Sequence, residues 1–255
     1  MSMMDHSQGW LVLEYLPTSL FSLKISTASN KGGKTLFVPT PYSIKLAFID
    51  AAFRVGGDEL AKEIFSFIKG CDIRFSPSDR LYVLNTFIKI LDESRDENSD
   101  PYQSTIAYRE FCFLQGTLEV AFSLENCPQL IKEKLKEIAV HINYFGKRGS
   151  FFQYIKNRMV SELPLGFTVK ASDKKGNIRG YEVVQPLDDI GELSSKDLFD
   201  RINTFSDKKI ERGKHRIFML TYIPYKMEKS STSYTAYVNP YKCERSSYLP
   251  NYEPA

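Results

Sequence analysis

An amphipathic run behind Pro128, a proline-opened run behind Pro41 that two glycines interrupt, and stretches of β-formers around both predict an α+β fold. The order is strand, helix, strands, helix, strand. That is the split βαβ order of a ferredoxin-like (RRM-like) domain, expected over residues 1–160 with a β-hairpin inserted among its middle strands. A smaller β-rich C-terminal region is expected over 161–255.

Trp10 to Ser26 carries the first strand, with Leu11, Val12, Leu13, Tyr15, Leu20, Phe21, Leu23 and Ile25 as β-formers and Pro17 dividing the run. Thr27 to Lys34 is polar and glycine-bearing, so it reads as a loop, and Thr35 to Val38 as a short extended segment. Pro41 suits a first helical turn because it has no amide hydrogen to leave unpaired. Ile44, Ala47, Phe48, Ala51, Ala52 and Val55 then follow at helical spacing. Gly56-Gly57-Asp58 interrupts that helix, and Asp58 is expected to cap a second one from Glu59 to Ile68 that Gly70 stops. Cys71 to Phe75 and Leu81 to Leu91 read as strands about the turn Ser76-Pro77-Ser78-Asp79, followed by a polar, acidic loop from Asp92 to Gln103. Ser104 to Leu114 and Thr117 to Leu124 resume extended patterning around Gln115-Gly116, which predicts a tight hairpin there.

Pro128 opens the most regular helix. Leu130, Ile131, Leu135, Ile138, Ala139 and Ile142 fall on one face, and Lys132, Glu133, Lys136 and Glu137 on the other. Phe151 to Ile155 predicts a further strand. Beyond Leu165, strands are expected at Thr168 to Ala171 and Tyr181 to Gln185 around a turn from Asp173 to Asn177, and Ser194 to Asp197 starts a short helix. Arg216 to Ile223 and Ser233 to Val238 are expected to close the chain as an antiparallel pair, before a Pro-, Tyr- and Ser-rich tail from Asn239 with little regular structure.

The net charge of +3 is mild, so any polyanion site must come from local clustering of cations. Cys71, Cys112, Cys127 and Cys243 form no C-x-x-C pair, which signals neither a zinc site nor a disulfide framework and predicts reduced, mostly buried thiols. The start lacks the pattern of a secretory leader and no run is apolar enough to span a bilayer, so a cytoplasmic protein without membrane contact is expected. The 18 Phe and 15 Tyr suit sheets and base stacking alike.

The stretch from Asn143 to Gln153 places Gly146-Lys147-Arg148-Gly149 between the second helix and an aromatic run. Glycines at positive φ can turn backbone amides toward an anion while Lys147 and Arg148 supply charge. A plain helix-to-strand turn with solvated cations fits the same residues, and both readings stay open at this point. Asn30-Lys31-Gly32-Gly33-Lys34-Thr35 ends like a phosphate-binding P-loop, but Ala28 stands where that motif needs glycine and Pro39-Thr40-Pro41 intervenes before the helix. Lys31 and Lys34 are read instead as a cationic loop, either touching a nucleic-acid backbone or merely solvated. Of the histidines His6, His141 and His215, none stands in a metal-binding pair, and no metal or other cofactor is expected. His215 lies in the basic cluster Arg212 to Arg216, where phosphate contact needs less arrangement than general-base chemistry. Asp188-Asp189 reads as a turn. Arg109 and Glu110 point to opposite faces of a strand, leaving Arg109 for a phosphate or a surface ion pair.

Three of these stretches carry a resemblance. Val38 to Ala47, with its proline, threonine and serine entry to a first helix, the strand Ile106-Ala107-Tyr108-Arg109-Glu110-Phe111, and the glycine loop Phe145 to Ser150 resemble the CRISPR-associated RAMP superfamily, most closely its Cas-five family. The likeness covers about the first 155 residues. It implies a non-catalytic subunit of a type I interference (Cascade) complex that grips the 5′ handle of crRNA and caps the backbone filament. The implied partners are crRNA, the filament subunit, the large subunit and, indirectly, target DNA. Lys45, Arg109, Lys147 and Arg148 are the residues it assigns to RNA. The residues expected to bind RNA are then Lys31, Lys34, Tyr42, Lys45, Arg109, Phe145, Gly146, Lys147, Arg148 and Gly149, with Tyr42, Phe145 or Phe151 stacking a base. The polymer is expected across the sheet face. Two alternatives are a metal-independent endoribonuclease acting on CRISPR repeat RNA, with His215 or Tyr222 as base, and a protein-only scaffold subunit.

Overall fold

The computed structural model describes residues 9–25, 28, 32–93, 101–173, 181–203 and 206–242. Strand β1 (Trp10–Pro17) alternates, with Leu11, Leu13 and Tyr15 turned into the main core and Val12 into a small cluster with Ala121 and Phe167 on the opposite face. β2 is the pair Gly32–Gly33. Helix α1 (Pro41–Ile68) starts at a reciprocal cap: the Ser43 amide donates to Thr40 Oγ1 at 3.1 Å and the Thr40 amide to Ser43 Oγ at 3.0 Å. Gly56 and Gly57 leave the helical backbone, Gly57 with φ +69°, so α1 is the two expected helices run together across a kink at these glycines.

β3 (Ile73–Ser76), β4 (Arg80–Glu93), β5 (Tyr102–Gln115) and β6 (Leu118–Ser123) precede helix α2 (Gln129–Ala139) and β7 (Phe152–Val160). β3, β6, β1 and β7 form a four-stranded sheet in the order β3-β6-β1-β7, every neighbour antiparallel. The helices cover its Leu11-Leu13-Tyr15 face, where Tyr15 donates its hydroxyl to Ala139 O at 3.0 Å. β8 (Val169–Lys170), β9 (Val183–Ile190) and β10 (Arg216–Ile223) make a three-stranded sheet, and α3 (Leu198–Ile202) sets Phe199 against Phe53 and Phe65. β11 (Lys226–Ser230) and β12 (Tyr234–Val238) complete a five-stranded sheet in the order β11-β12-β4-β5-β2.

Several pairings differ from expectation. β5 and β6 make no hairpin; Gly116, at φ +94°, carries the chain out of one sheet and into another. The hairpin is β4–β5, in register from Arg80↔Gln115 to Glu93↔Tyr102. β10 and β12 do not pair either: β10 joins β9, while β12 joins β4 and the polar, fully exposed β11. Leu130, placed on the buried face of α2 by its spacing, is 62% exposed. Leu187, Ile190, Leu198, Ile202, Ile223 and Tyr225 share one core cluster with β1, α1 and α2.

Candidate nucleic-acid interface

The turn after α2 has a fixed base and an exposed tip. Phe145 is fully buried, 4.9 Å edge-on to Tyr15 and 4.9 Å from Phe152. The Phe152 amide donates to Asn143 O at 2.9 Å and the Ser150 amide to Lys147 O at 3.1 Å, closing the turn. Gly146 and Gly149 sit at φ +74° and +99°, and a Cβ on Gly146 would stand 2.9 Å from Leu23 Cδ1, so neither position suits a larger residue. Lys147 and Arg148 between them are exposed, as are both glycines.

Residues 18–25 form a strap that ties this turn to the β4–β5 hairpin. Ser19 Oγ donates to Gly149 O at 2.6 Å and accepts the Phe151 amide at 2.7 Å. Phe21 and Cys112 exchange backbone hydrogen bonds of 2.8 and 2.7 Å. The Ser22 amide donates to Ser150 Oγ at 3.2 Å, and Ser22 Oγ to Glu110 O at 3.0 Å. Gly32 and Gly33 lie parallel to Tyr108 and Arg109 on β5. A Cβ on Gly33 would come within 2.5 Å of Arg109 Cδ, so the half-buried Arg109 side chain lies across the glycine strand, its Nη1 donating to Tyr108 O at 2.9 Å. Lys34 beside it is exposed. Lys34, Arg109, Lys147 and Arg148 are thus carried on three segments that one strap joins.

Other expected ligand residues are used elsewhere. Lys45 is buried, its ammonium donating to Asp189 at 2.6 Å and to Lys69 O at 2.9 Å, so it anchors α1 to β9 and does not reach solvent. Phe145 is core and cannot stack a base. Tyr42 is buried beneath the Arg216 guanidinium, which stands 4.5 Å from its ring centre; burial raises its hydroxyl pKa, and the charge of Arg216 opposes that. Lys31 lies outside the described residues. Phe151, 48% exposed beside the tip, remains open to a base.

Asp188 and Asp189 are no turn. Both sit within β9, Asp188 paired with Arg216 and Asp189 with Lys45. His215 is 1% exposed, its Nδ1 accepting the Glu211 amide at 3.2 Å and its Nε2 standing 3.0 Å from the Glu192 carboxylate, which takes it away from any role as an accessible base. The outward face of the four-stranded sheet is not a bare platform. Glu14 and Glu119 stand opposite each other there, paired with Lys156 at 3.5 Å and Arg158 at 2.6 Å, while Phe167 covers Val12 and Ala121. The cations of that face are thus taken up by its own carboxylates.

Sequence reasoning missed Ser19, Ser22 and Thr35 as the polar ties of the site and Glu110 as its buried acceptor. It also missed the exposed apolar side of the hairpin, where Phe87, Leu91, Tyr102 and Ile106 are 73%, 72%, 59% and 66% exposed. The register puts Phe87 opposite Tyr108 and Leu91 opposite Ser104, so the four share one face.

No protein-family model matches the chain. Over 204 residues it is 24% identical to the CRISPR-associated protein Cas5 of Archaeoglobus fulgidus, across 78% of this chain and 86% of that protein. Among solved structures it is similar to a CRISPR protein from Archaeoglobus fulgidus, at 11% identity over 91% of this chain and 92% of that one with a TM-score of 0.44. It is also similar to a chain of a CRISPR RNA-guided surveillance complex, at 13% identity over 84% and 88% of the two chains with a TM-score of 0.46. The sequence resemblance to that Cas5 protein extends over most of the chain.

Proposed function

We propose, from its likeness to a CRISPR-associated Cas5 protein, that this chain is a non-catalytic subunit of a type I interference (Cascade) complex that binds the 5′ handle of crRNA and caps the backbone filament. One observation supports this above others: the Gly146–Gly149 turn, anchored by Phe145 and Ser19, carries exposed Lys147 and Arg148 and is joined by a strap to Lys34 and Arg109. Fixed amides and cations at a glycine turn suit a ribose-phosphate backbone, and exposed Phe151 offers a ring to a base. The order β3-β6-β1-β7, with a helix after β1 and another after β6, reads as a ferredoxin-like core. Residues 1–160 would be the RAMP domain, and 161–255 the region that buttresses it.

A protein-docking role for the hairpin is favoured by its exposed Phe87, Leu91, Tyr102 and Ile106, which a neighbouring filament subunit would cover. The test is filter binding of the full chain to single-stranded RNA bearing a CRISPR repeat-derived 5′ segment, with matched DNA and unrelated RNA beside it. Preferential, salt-dependent binding without cleavage is the expected result. Equal, weak binding to all three would end the RNA reading, and cleavage of the RNA would end the non-catalytic one.

A further inference from the structure

Glu110 is a carboxylate in an unusual place for a protein segment meant to meet phosphate. It is 9% exposed, on the strand that carries Arg109. Its Oε2 accepts the Thr35 amide at 3.0 Å and its Oε1 the Tyr108 hydroxyl at 3.0 Å. Thr35 in turn fixes the strap, since its Oγ1 accepts the Leu23 amide at 3.0 Å, and the Leu36 amide donates to Leu23 O at 2.8 Å. The backbone carbonyl of Glu110 takes Ser22 Oγ, and the Ser22 amide reaches Ser150 at the foot of the glycine turn. A single residue therefore holds both the Lys34 segment, through its side chain, and the Lys147–Arg148 turn, through its main chain and Ser22.

We infer that Glu110 is a positioning residue: its carboxylate acts as a buried hydrogen-bond acceptor that locks the Lys34 segment beside Arg109, so that the cations of two loops face one ligand. This rests on the proposed RNA-binding function for its ligand, but not for its geometry. Burying a carboxylate beside cationic loops lowers the local positive potential, so its presence is explained by what it holds. Glutamine can replace it as an acceptor; alanine cannot. With Glu110→Gln the Thr35 amide keeps an acceptor, and the Tyr108 hydroxyl keeps Asn85 Oδ1, at 2.8 Å in the parent.

The experiment compares the full-length parent, Glu110→Ala and Glu110→Gln by residue-resolved hydrogen exchange and by filter binding to single-stranded RNA bearing a repeat-derived 5′ segment. In Glu110→Ala the Thr35 amide is expected to exchange at least about tenfold faster, while the amides pairing β1 with β6 keep their protection. Loss of one aligned cation lowers RNA affinity about fivefold at about 0.1 M salt and the salt slope by about 0.7. Glu110→Gln is expected to match the parent in both readouts. Unchanged Thr35 exchange in Glu110→Ala overturns the inference, as does faster exchange across the whole β1–β6 pairing, or a Glu110→Gln variant that behaves like alanine. If no variant or parent binds RNA but the exchange pattern is as expected, the positioning of the Lys34 segment stands and the RNA reading alone falls.

Discussion

Replacing Lys147 and Arg148 together by alanine removes two charges from an exposed tip whose base stays intact. Phe145 remains in the core, Ser19 keeps its bonds to Gly149 and Phe151, and Ser150 keeps the Ser22 amide. If each cation neutralises one phosphate of a single strand, each contributes about 0.7 to the slope of log affinity against log salt, so the pair contributes about 1.4. Scaled from about 1 M to about 0.1 M salt, that is about 1.4 decades, or a Kd raised about 25-fold, close to 2 kcal/mol. Filter binding of the repeat-derived RNA over a salt series reads both quantities from one data set, and thermal unfolding of the same sample controls for folding. The variant is expected to unfold within about 0.5 kcal/mol of the parent, because neither side chain touches the core. An unchanged Kd and slope would refute phosphate contact at this turn. A Kd raised at every salt concentration by the same factor would refute the counterion-release reasoning, since charge loss must flatten the slope.

Further outcomes follow from groups behind the interface. Lys45→Met leaves Asp189 buried without its cation, so unfolding in denaturant is expected to show a loss of about 3–5 kcal/mol, most of it recovered when Asp189→Leu is added. Burial works to raise the Asp72 carboxyl, but hydrogen bonds and charges from Arg74 and Lys170 outweigh it and hold its pKa below the ordinary value. A depressed folded pKa means that this stabilisation is present above about pH 4 and drains away as pH falls below it, so Asp72→Asn should flatten the acid limb of a stability–pH curve while lowering the plateau. Burial pushes the Cys71 thiol up to about 12 and Cys127 up to about 11, so alkylation at about pH 8 should leave both unmodified in the native chain and label both after unfolding. Native labelling at either position would show that its site opens.

What the sequence made legible was local. Helix α2 announced itself because Ile131, Leu135, Ile138 and Ala139 recur at the helical period, and those four are the ones buried. The break at Gly56-Gly57 and the start of α1 at Pro41 were equally visible, since glycine permits backbone that other residues avoid and proline fixes its own φ. Strand partners were not visible. β4, β5 and β6 share one alternating pattern, and nothing in alternation says that Leu81 to Leu91 pairs with β5 while β6 crosses to β1. β11 was hidden because every residue in it is exposed and an edge strand needs no apolar face. The cationic tip was found because glycine and charge are compact signals. Lys45 misled for the opposite reason: its partner Asp189 lies 144 residues away, and a lysine on a helix carries no mark of a distant carboxylate.

The same separation explains why the site cannot be assigned to the first 160 residues alone. Gln185 of β9 accepts the Phe37 amide at 2.8 Å and donates to Thr35 O at 3.2 Å. Thr35 is therefore held from one side by Glu110 and from the other by the C-terminal region, with Lys34 between them and solvent. Tyr225, fully buried, packs 6.4 Å from Phe37 and shares a 2.8 Å hydrogen bond with Ser78. Asp189 fixes α1 through Lys45 at the other end of β9. The later residues thus act as a buttress: they contribute none of the four cations of the proposed interface, yet Gln185 holds the segment on which Lys34 stands. If these contacts make the two regions one cooperative unit, a ligand that orders this segment is expected to raise the hydrogen-exchange protection of the β9 amides as well, and protection gained only around Thr35 would show that they open independently.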